Sequence, residues 1–206
     1  NYGGGLTFAT TADNSAISID GLSTLNFTDL NTAAENDFTT TGDNSSISIL
    51  TDLTLGFSSS NSAGRNAYIS TTGDNADITL TGNLTTDTGS VAASNDITLN
   101  ITTTGSGSDI THSGGTITLN TGPDNETLNV STVDGTVSLG NLAVTTTNIT
   151  TNSDGGTIST GSITGTDATL TASGDNSTIA VNDTVNLSDD LVITTAGASD
   201  SAITTN

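Results

Sequence analysis

Apolar residues in this chain come in short alternating triplets. Ile-Ser-Ile occupies 17–19 and again 47–49, and Leu-Thr-Leu occupies 53–55. Ile-Thr-Leu stands at 78–80, 97–99 and 117–119, and Val-Ser-Leu at 137–139. Alternation of this kind buries one face of a short β-strand and leaves the other outside. Thr and Val favour strands, while the Gly, Asn and Asp between the triplets favour turns. No window carries a helical periodicity, so the pattern predicts an all-β chain.

The triplets belong to a longer repeat. TADNSAISI at 11–19 returns as TGDNSSISI at 41–49, TGDNADITL at 72–80 and SGDNSTIAV at 173–181. One column of strand openings runs Ile78, Ile97, Ile117, Val137, Ile158 and Ile179, at steps of 19 to 21 residues. A second runs Val91, Ile110, Leu128, Ile149, Leu170 and Leu191. A third holds Leu142, Ile163 and Val185, with Leu84 and Ile101 as earlier members. Three apolar columns at one shared period predict a β-solenoid with three short strands per coil and about 20 residues per coil. Stacked coils would bury what no single coil can. Before residue 78 the period lengthens. Residues 1–77 therefore read as coils with insertions at about 31–42 and 58–67, and 78–206 as regular coils of the same single solenoid. Roughly eight coils at about 4.8 Å each would make a rod about 40 Å long. NYGGG and SAITTN carry no evident cap. The end coils are therefore expected to pair with copies of the chain or with adjoining coils.

Composition taken alone argues for disorder. Of 206 residues, 46 are Thr, 26 Ser, 23 Gly, 22 Asn and 20 Asp, and hydrophobic residues make up 31%. Low apolar content with net charge -21 often marks a chain that cannot bury enough surface to fold. The alternation answers this, because each coil needs apolar residues only on its inward face. Arg65 is the one Lys or Arg, so the chain cannot neutralise the phosphates of nucleic acid or anionic lipid. Disulfides and thiolate metal sites need Cys, and there is none. No apolar run approaches the length of a membrane-spanning helix, so no membrane insertion is expected.

The stretch DITLTGNLTTDTGSVAASNDITLNITTTGSGSDITHSGGTITLNTG, residues 77–122, resembles the repeats of filamentous-haemagglutinin-like large exoproteins. The shared units are DITL or TITL, GN-L-T and TTGSG-DI. The likeness covers most of 70–206 and extends in wording to other β-strand-repeat proteins of bacterial surfaces. It implies a right-handed parallel β-helix, export from the cell, and a role as an adhesin shaft or structural fibre. The first residues show neither a basic nor an apolar signal region, so a mature or internal piece is expected.

Candidate chemistry is sparse. The turns before the strand openings repeat Asp, Asn and Gly, as in Gly73-Asp74-Asn75 and Gly174-Asp175-Asn176. Asn and Asp tolerate left-handed turns and bond their own backbone. Stacked at the coil rise, their carboxylates would also repel unless a hard cation intervenes. Asp183, Asp189 and Asp190 form the densest acidic spot. With the Asp74/Asp77 pair they are the candidate calcium ligands, calcium being the one cofactor the sequence suggests. EF-hand and glycine-rich nonapeptide calcium motifs are both missing. His112, the single histidine, reads as a surface turn residue. Aromatics are two Tyr and four Phe, all before residue 70, so a sugar-cleaving site with aromatic platforms is not expected. Thr runs at 39–41, 102–104 and 145–147 are too intermittent for an ice-binding face. Ten N-x-S/T sequons follow from composition.

The sequence thus predicts a non-enzymatic, extracellular protein, secreted or on the cell surface, that forms a fibre, shaft or sheath. Its alternative is an adhesin module whose N-terminal insertions, with Arg65 and Tyr68 as contact residues, meet a receptor or a host or matrix glycan.

Overall fold

A computed structural model describes residues 7–21, 25–27, 36–57, 65–87, 96–119, 125–197 and 200–205. The strands, numbered in chain order, fall into three parallel sheets. Sheet A holds β1 (Thr7–Thr10), β4 (Asn36–Thr40), β7 (Arg65–Thr71), β10 (Ile97–Ser106), β13 (Thr127–Asp134), β16 (Thr146–Thr151), β19 (Asp167–Ala172) and β22 (Leu191–Thr195). Sheet B holds β2 (Ala16–Ile19), β5 (Ser46–Ile49), β8 (Asp77–Thr81), β11 (Ile110–Ser113), β14 (Thr136–Leu139), β17 (Thr157–Thr160), β20 (Thr178–Val181) and β23 (Ala202–Thr205). Sheet C holds β3 (Leu25–Phe27), β6 (Leu53–Phe57), β9 (Leu84–Asp87), β12 (Thr116–Leu119), β15 (Asn141–Val144), β18 (Ile163–Gly165) and β21 (Val185–Leu187). Every third strand in sequence is a neighbour in a sheet. That is a parallel β-solenoid with one strand from each sheet per coil. The eight coils begin at β1, β4, β7, β10, β13, β16, β19 and β22.

Register explains how so few apolar residues suffice. Sheet B stacks Ile17, Ile47, Ile78, Ile110, Val137, Ile158, Ile179 and Ile203 directly above one another. Sheet A stacks Phe8, Phe38, Ile69, Ile101, Val130, Ile149, Leu170 and Ile193. Sheet C stacks Leu53, Leu84, Ile117, Leu142, Ile163 and Val185. Apart from Val185, which is partly buried, the members between the end coils are almost fully buried and form one core cluster. Parallel strands usually carry continuous apolar runs because both their faces are covered. Here the outer face meets solvent, so alternation survives.

These columns correct the register read from sequence. Val137, Ile158 and Ile179 do share a column, as do Leu84, Leu142, Ile163 and Val185. Ile97, however, lies in sheet A and Ile117 in sheet C. Ile110 belongs to sheet B, and Ile101 to sheet A rather than to the third column. Leu128 is opposite Thr147, two residues from Ile149. Val91 lies outside the described residues. Coil length also varies. The sheet B steps are 30, 31, 32, 27, 21, 21 and 24 residues, so a coil of about 20 describes the two from Val137 to Ile179. Of the segment 31–42, residues 36–40 form β4, and 65–67 of the second segment open β7. Residues 31–35 and 58–64 lie outside the described residues.

Candidate functional site

The corner from sheet A to sheet B carries most of the repeated polar residues. In the first three coils it reads Thr-Ala-Asp-Asn-Ser, Thr-Gly-Asp-Asn-Ser and Thr-Gly-Asp-Asn-Ala. Asn14, Asn44, Asn75 and Asn176 sit at φ between 51° and 57°, the left-handed region that Asn tolerates. The residue before each Asp is constrained differently. A Cβ on Gly42 would lie 2.3 Å from the Ala12 carbonyl oxygen, on Gly73 2.1 Å from that of Gly42, and on Gly174 1.9 Å from that of Ser153. Coil backbones pass too closely here for any side chain.

The aspartates serve the stacking. The Asp13 Oδ1 accepts from the Asp43 N–H at 3.1 Å, and the Asp43 Oδ1 from the Asp74 N–H at 3.0 Å. The Asp74 Oδ1 accepts from the Ser106 N–H at 2.8 Å. Similar bonds run from Asp109 N–H to Asp77 (2.9 Å), from Thr136 N–H to Asp109 (2.7 Å) and from Asn83 N–H to Asp52 (2.7 Å). Asp175 N–H to Asp154 and Asp190 N–H to Asp167 continue the pattern at 3.0 and 3.2 Å. In each pair the carboxylate is on the earlier coil and the amide on the later one. The acidic column is thus a one-directional ladder of side-chain acceptors for backbone donors.

The candidate metal ligands divide accordingly. Asp74 and Asp77 each hold an amide of the next coil. Asp183 closes on its own neighbour, accepting from the Thr184 N–H at 2.7 Å and its hydroxyl at 3.2 Å. The Asp189 N–H bonds the Thr166 carbonyl at 3.0 Å. Among the described residues, no three His, Asp or Glu side chains are grouped as ligands of one ion. Tyr68 is half-buried on β7, its backbone opposite Asp37 and Asn100. Arg65 opens the same strand, opposite Ile97.

Three features escaped the sequence reading. The first is an inward threonine column in sheet A: Thr40, Thr71, Thr103, Thr132 and Thr151 are buried below the A–B corner. Thr71 donates to the Ala76 carbonyl at 2.6 Å, and Thr103 and Thr132 to that of Ser108 at 3.2 and 3.0 Å. Its signal, a Thr three residues before the corner Asp at Thr40, Thr71 and Thr151, was hidden by the abundance of Thr. The second is an amide ladder on the outer face of sheet A. Asn129 donates to the Asn100 side-chain oxygen at 3.0 Å, and Asn148 to that of Asn129 at 3.1 Å. All three are sequon asparagines. The third is Glu126, which is 1% exposed and accepts from the Thr145 hydroxyl at 2.8 Å. Thr145 also lines a shallow groove of about 400 Å³ along the C–A corner, with Val144, Gly165, Thr166, Leu187 and Ser188. No charged side chain lines that groove.

His112 departs from expectation. It is 3% exposed and occupies an inward position of β11, opposite Leu80. Desolvation by burial lowers its pKa below the usual 6.5, opposed in part by a hydrogen bond to the Gly82 carbonyl. The surface turn expected for this residue is therefore a core position.

The chain matches no protein family, no curated protein and no solved structure.

Proposed function

We propose that this chain is an extracellular structural element of a bacterial surface: a stiff β-solenoid serving as shaft, fibre or sheath, without enzymatic activity. The observation that carries the reading is the unbroken in-register stack from Ile17 to Ile203, clothed in Thr, Ser and Asn. Such a stack resists bending because its hydrogen bonds run along the rod axis. The outer faces offer hydroxyls and amides to water, and the net charge of -21 keeps rods apart until ions screen it. The likeness of residues 77–122 to exoprotein repeats supports the extracellular placement and the bacterial source.

The partners that fit are further coils, from copies of the chain or from an adjoining solenoid. Phe8 at one end, and Leu191, Val192 and Ile203 at the other, are exposed apolar residues on strands that would accept them. A second reading makes the chain an adhesin module. Tyr68, an aromatic on the outer face of β7, favours it, with Arg65 and the N-terminal insertions as the contact surface for a receptor or glycan.

Electron microscopy of the purified chain tests the first reading. Long filaments support self-assembly, and discrete rods about 40 Å long support a shaft. Compact particles without an axis would sink both. Replacing residues 58–64 with a short Gly-Ser linker tests the second: adhesion should vanish while the rod remains.

A further inference from the structure

We propose that His112 makes the middle of the stack acid-sensitive, its protonation loosening the junction of the third, fourth and fifth coils. The ring lies at the corner between sheets B and C, where those coils meet. Its Nε2 is 2.8 Å from the carbonyl oxygen of Gly82, in the third coil. A carbonyl can only accept, so Nε2 carries the proton and Nδ1 holds a bare lone pair. That Nδ1 is buried without a hydrogen-bond partner. On this side the ring edge packs against Gly140 of the fifth coil. A Cβ built there would lie 3.3 Å from Nδ1 and 3.6 Å from Cε1.

A second proton on the ring would enter at Nδ1. It would put charge and a new N–H donor on a buried atom that has no hydrogen-bond partner. The carboxylates of the surrounding elements each already hold a backbone N–H. From the third coil, Asp77 is committed to the Asp109 N–H. Beside Gly82, Asp52 of the second coil is committed to the Asn83 N–H. On the strand of the histidine itself, Ile110 to Ser113 includes no other titratable group, and Asp109 just before it accepts from the Thr136 N–H. From the fifth coil, Leu139, Gly140 and Asn141 bring no charge. Neighbouring coils place Leu80 and, continuing the register of Ile110 with Val137, Leu139 at the same inward position. The histidine thus stands in an inward column that holds Ile19, Ile49 and Leu80 before it and Leu139, Thr160 and Val181 after it.

The sign follows from the burial. Folding favours the neutral ring, so its contribution is complete above 6.5, the unfolded value. As pH falls below 6.5 the unfolded chain binds a proton that the folded chain refuses. The unfolding constant then rises by up to tenfold per pH unit until the folded ring titrates.

Two measurements on the full chain test this. NMR of the single imidazole should show the Nε2–H tautomer and a titration below 6.5. A ring that titrates at or above 6.5, or that is protonated on Nδ1 when neutral, would overturn the proposal. Denaturant unfolding from pH 8 to 5 should show the acid-side rise in the wild type and its loss in His112→Leu. The carboxylates titrate in both proteins and cancel in the difference. Equal slopes would also overturn it, and the NMR result decides even if the variant does not fold.

Discussion

Replacing Gly73 with alanine tests the close approach of coils most directly. The added Cβ would lie 2.1 Å from the Gly42 oxygen, 2.4 Å from its carbon and 2.7 Å from the Asp43 nitrogen. Each of these atoms is backbone, so no side chain can swing aside. Carbon and carbonyl oxygen rarely come closer than about 3.3 Å, so the corner must open by roughly 1 Å. Two hydrogen bonds flank the strained point: Asp74 N–H to the Asp43 carboxylate at 3.0 Å, and Asn44 N–H to the Asp74 carbonyl at 2.8 Å. Stretching both by that distance forfeits about 1 kcal/mol each. Overpacking adds about 1 to 3 kcal/mol. The expected loss is about 3 to 5 kcal/mol, a fall of roughly 1 M or more in the urea midpoint at ordinary slopes. Gly155→Ala is the control. Its φ is +73° and nothing lies within 4 Å of the new Cβ, so only the left-handed backbone penalises it, by about 1 kcal/mol. Chemical denaturation of the two variants by circular dichroism compares them. If Gly73→Ala costs no more than Gly155→Ala, the coils are not held as close as described and the reasoning fails.

Other outcomes follow from the ladders. Asp74→Asn keeps an acceptor for the Ser106 N–H and should unfold near the wild-type midpoint. Asp74→Ala should cost about 1 kcal/mol in the same denaturation assay. Asn148→Asp removes the donor to Asn129 and adds charge on sheet A; it should lower thermal stability more than Asn148→Thr does. Calcium bound by Asp183, Asp189 and Asp190 would raise the melting temperature beyond the effect of magnesium at equal ionic strength. Coincident curves would remove that assignment.

Much of the architecture is legible in the sequence because most inward positions at the strand centres are Ile, Leu or Val. The three-strand coil and the count of about eight emerge from that restriction alone. Register is harder, since strands of all three sheets share the same Thr and Ile alternation. A coil of about 30 residues has its strands about 10 apart, so two strand steps imitate a 20-residue coil. Ile78, Ile97 and Ile117 align for that reason while lying in sheets B, A and C. The corner aspartates were visible as a repeat, but their task was not. A carboxylate that bonds an amide some 30 residues later leaves no local mark. His112 misled through composition: a polar ring between Thr and Ser reads as surface, and only its alignment with Leu80 and Leu139 shows otherwise.

The corner glycines also give the stack a grammar of beginnings. Ala12 and Ser153 occupy the place that glycine holds at 42, 73, 105, 174 and 197. A side chain is admissible there only when the coil below brings no carbonyl to the same point. Beneath Ser153 the fifth coil satisfies this by turning through Asp134 and Gly135 alone. Ala12 writes the same condition at the other end of the described coils. A single methyl group thereby bears on the neighbours of this rod: a coil stacked below Ala12 must leave room there for a Cβ.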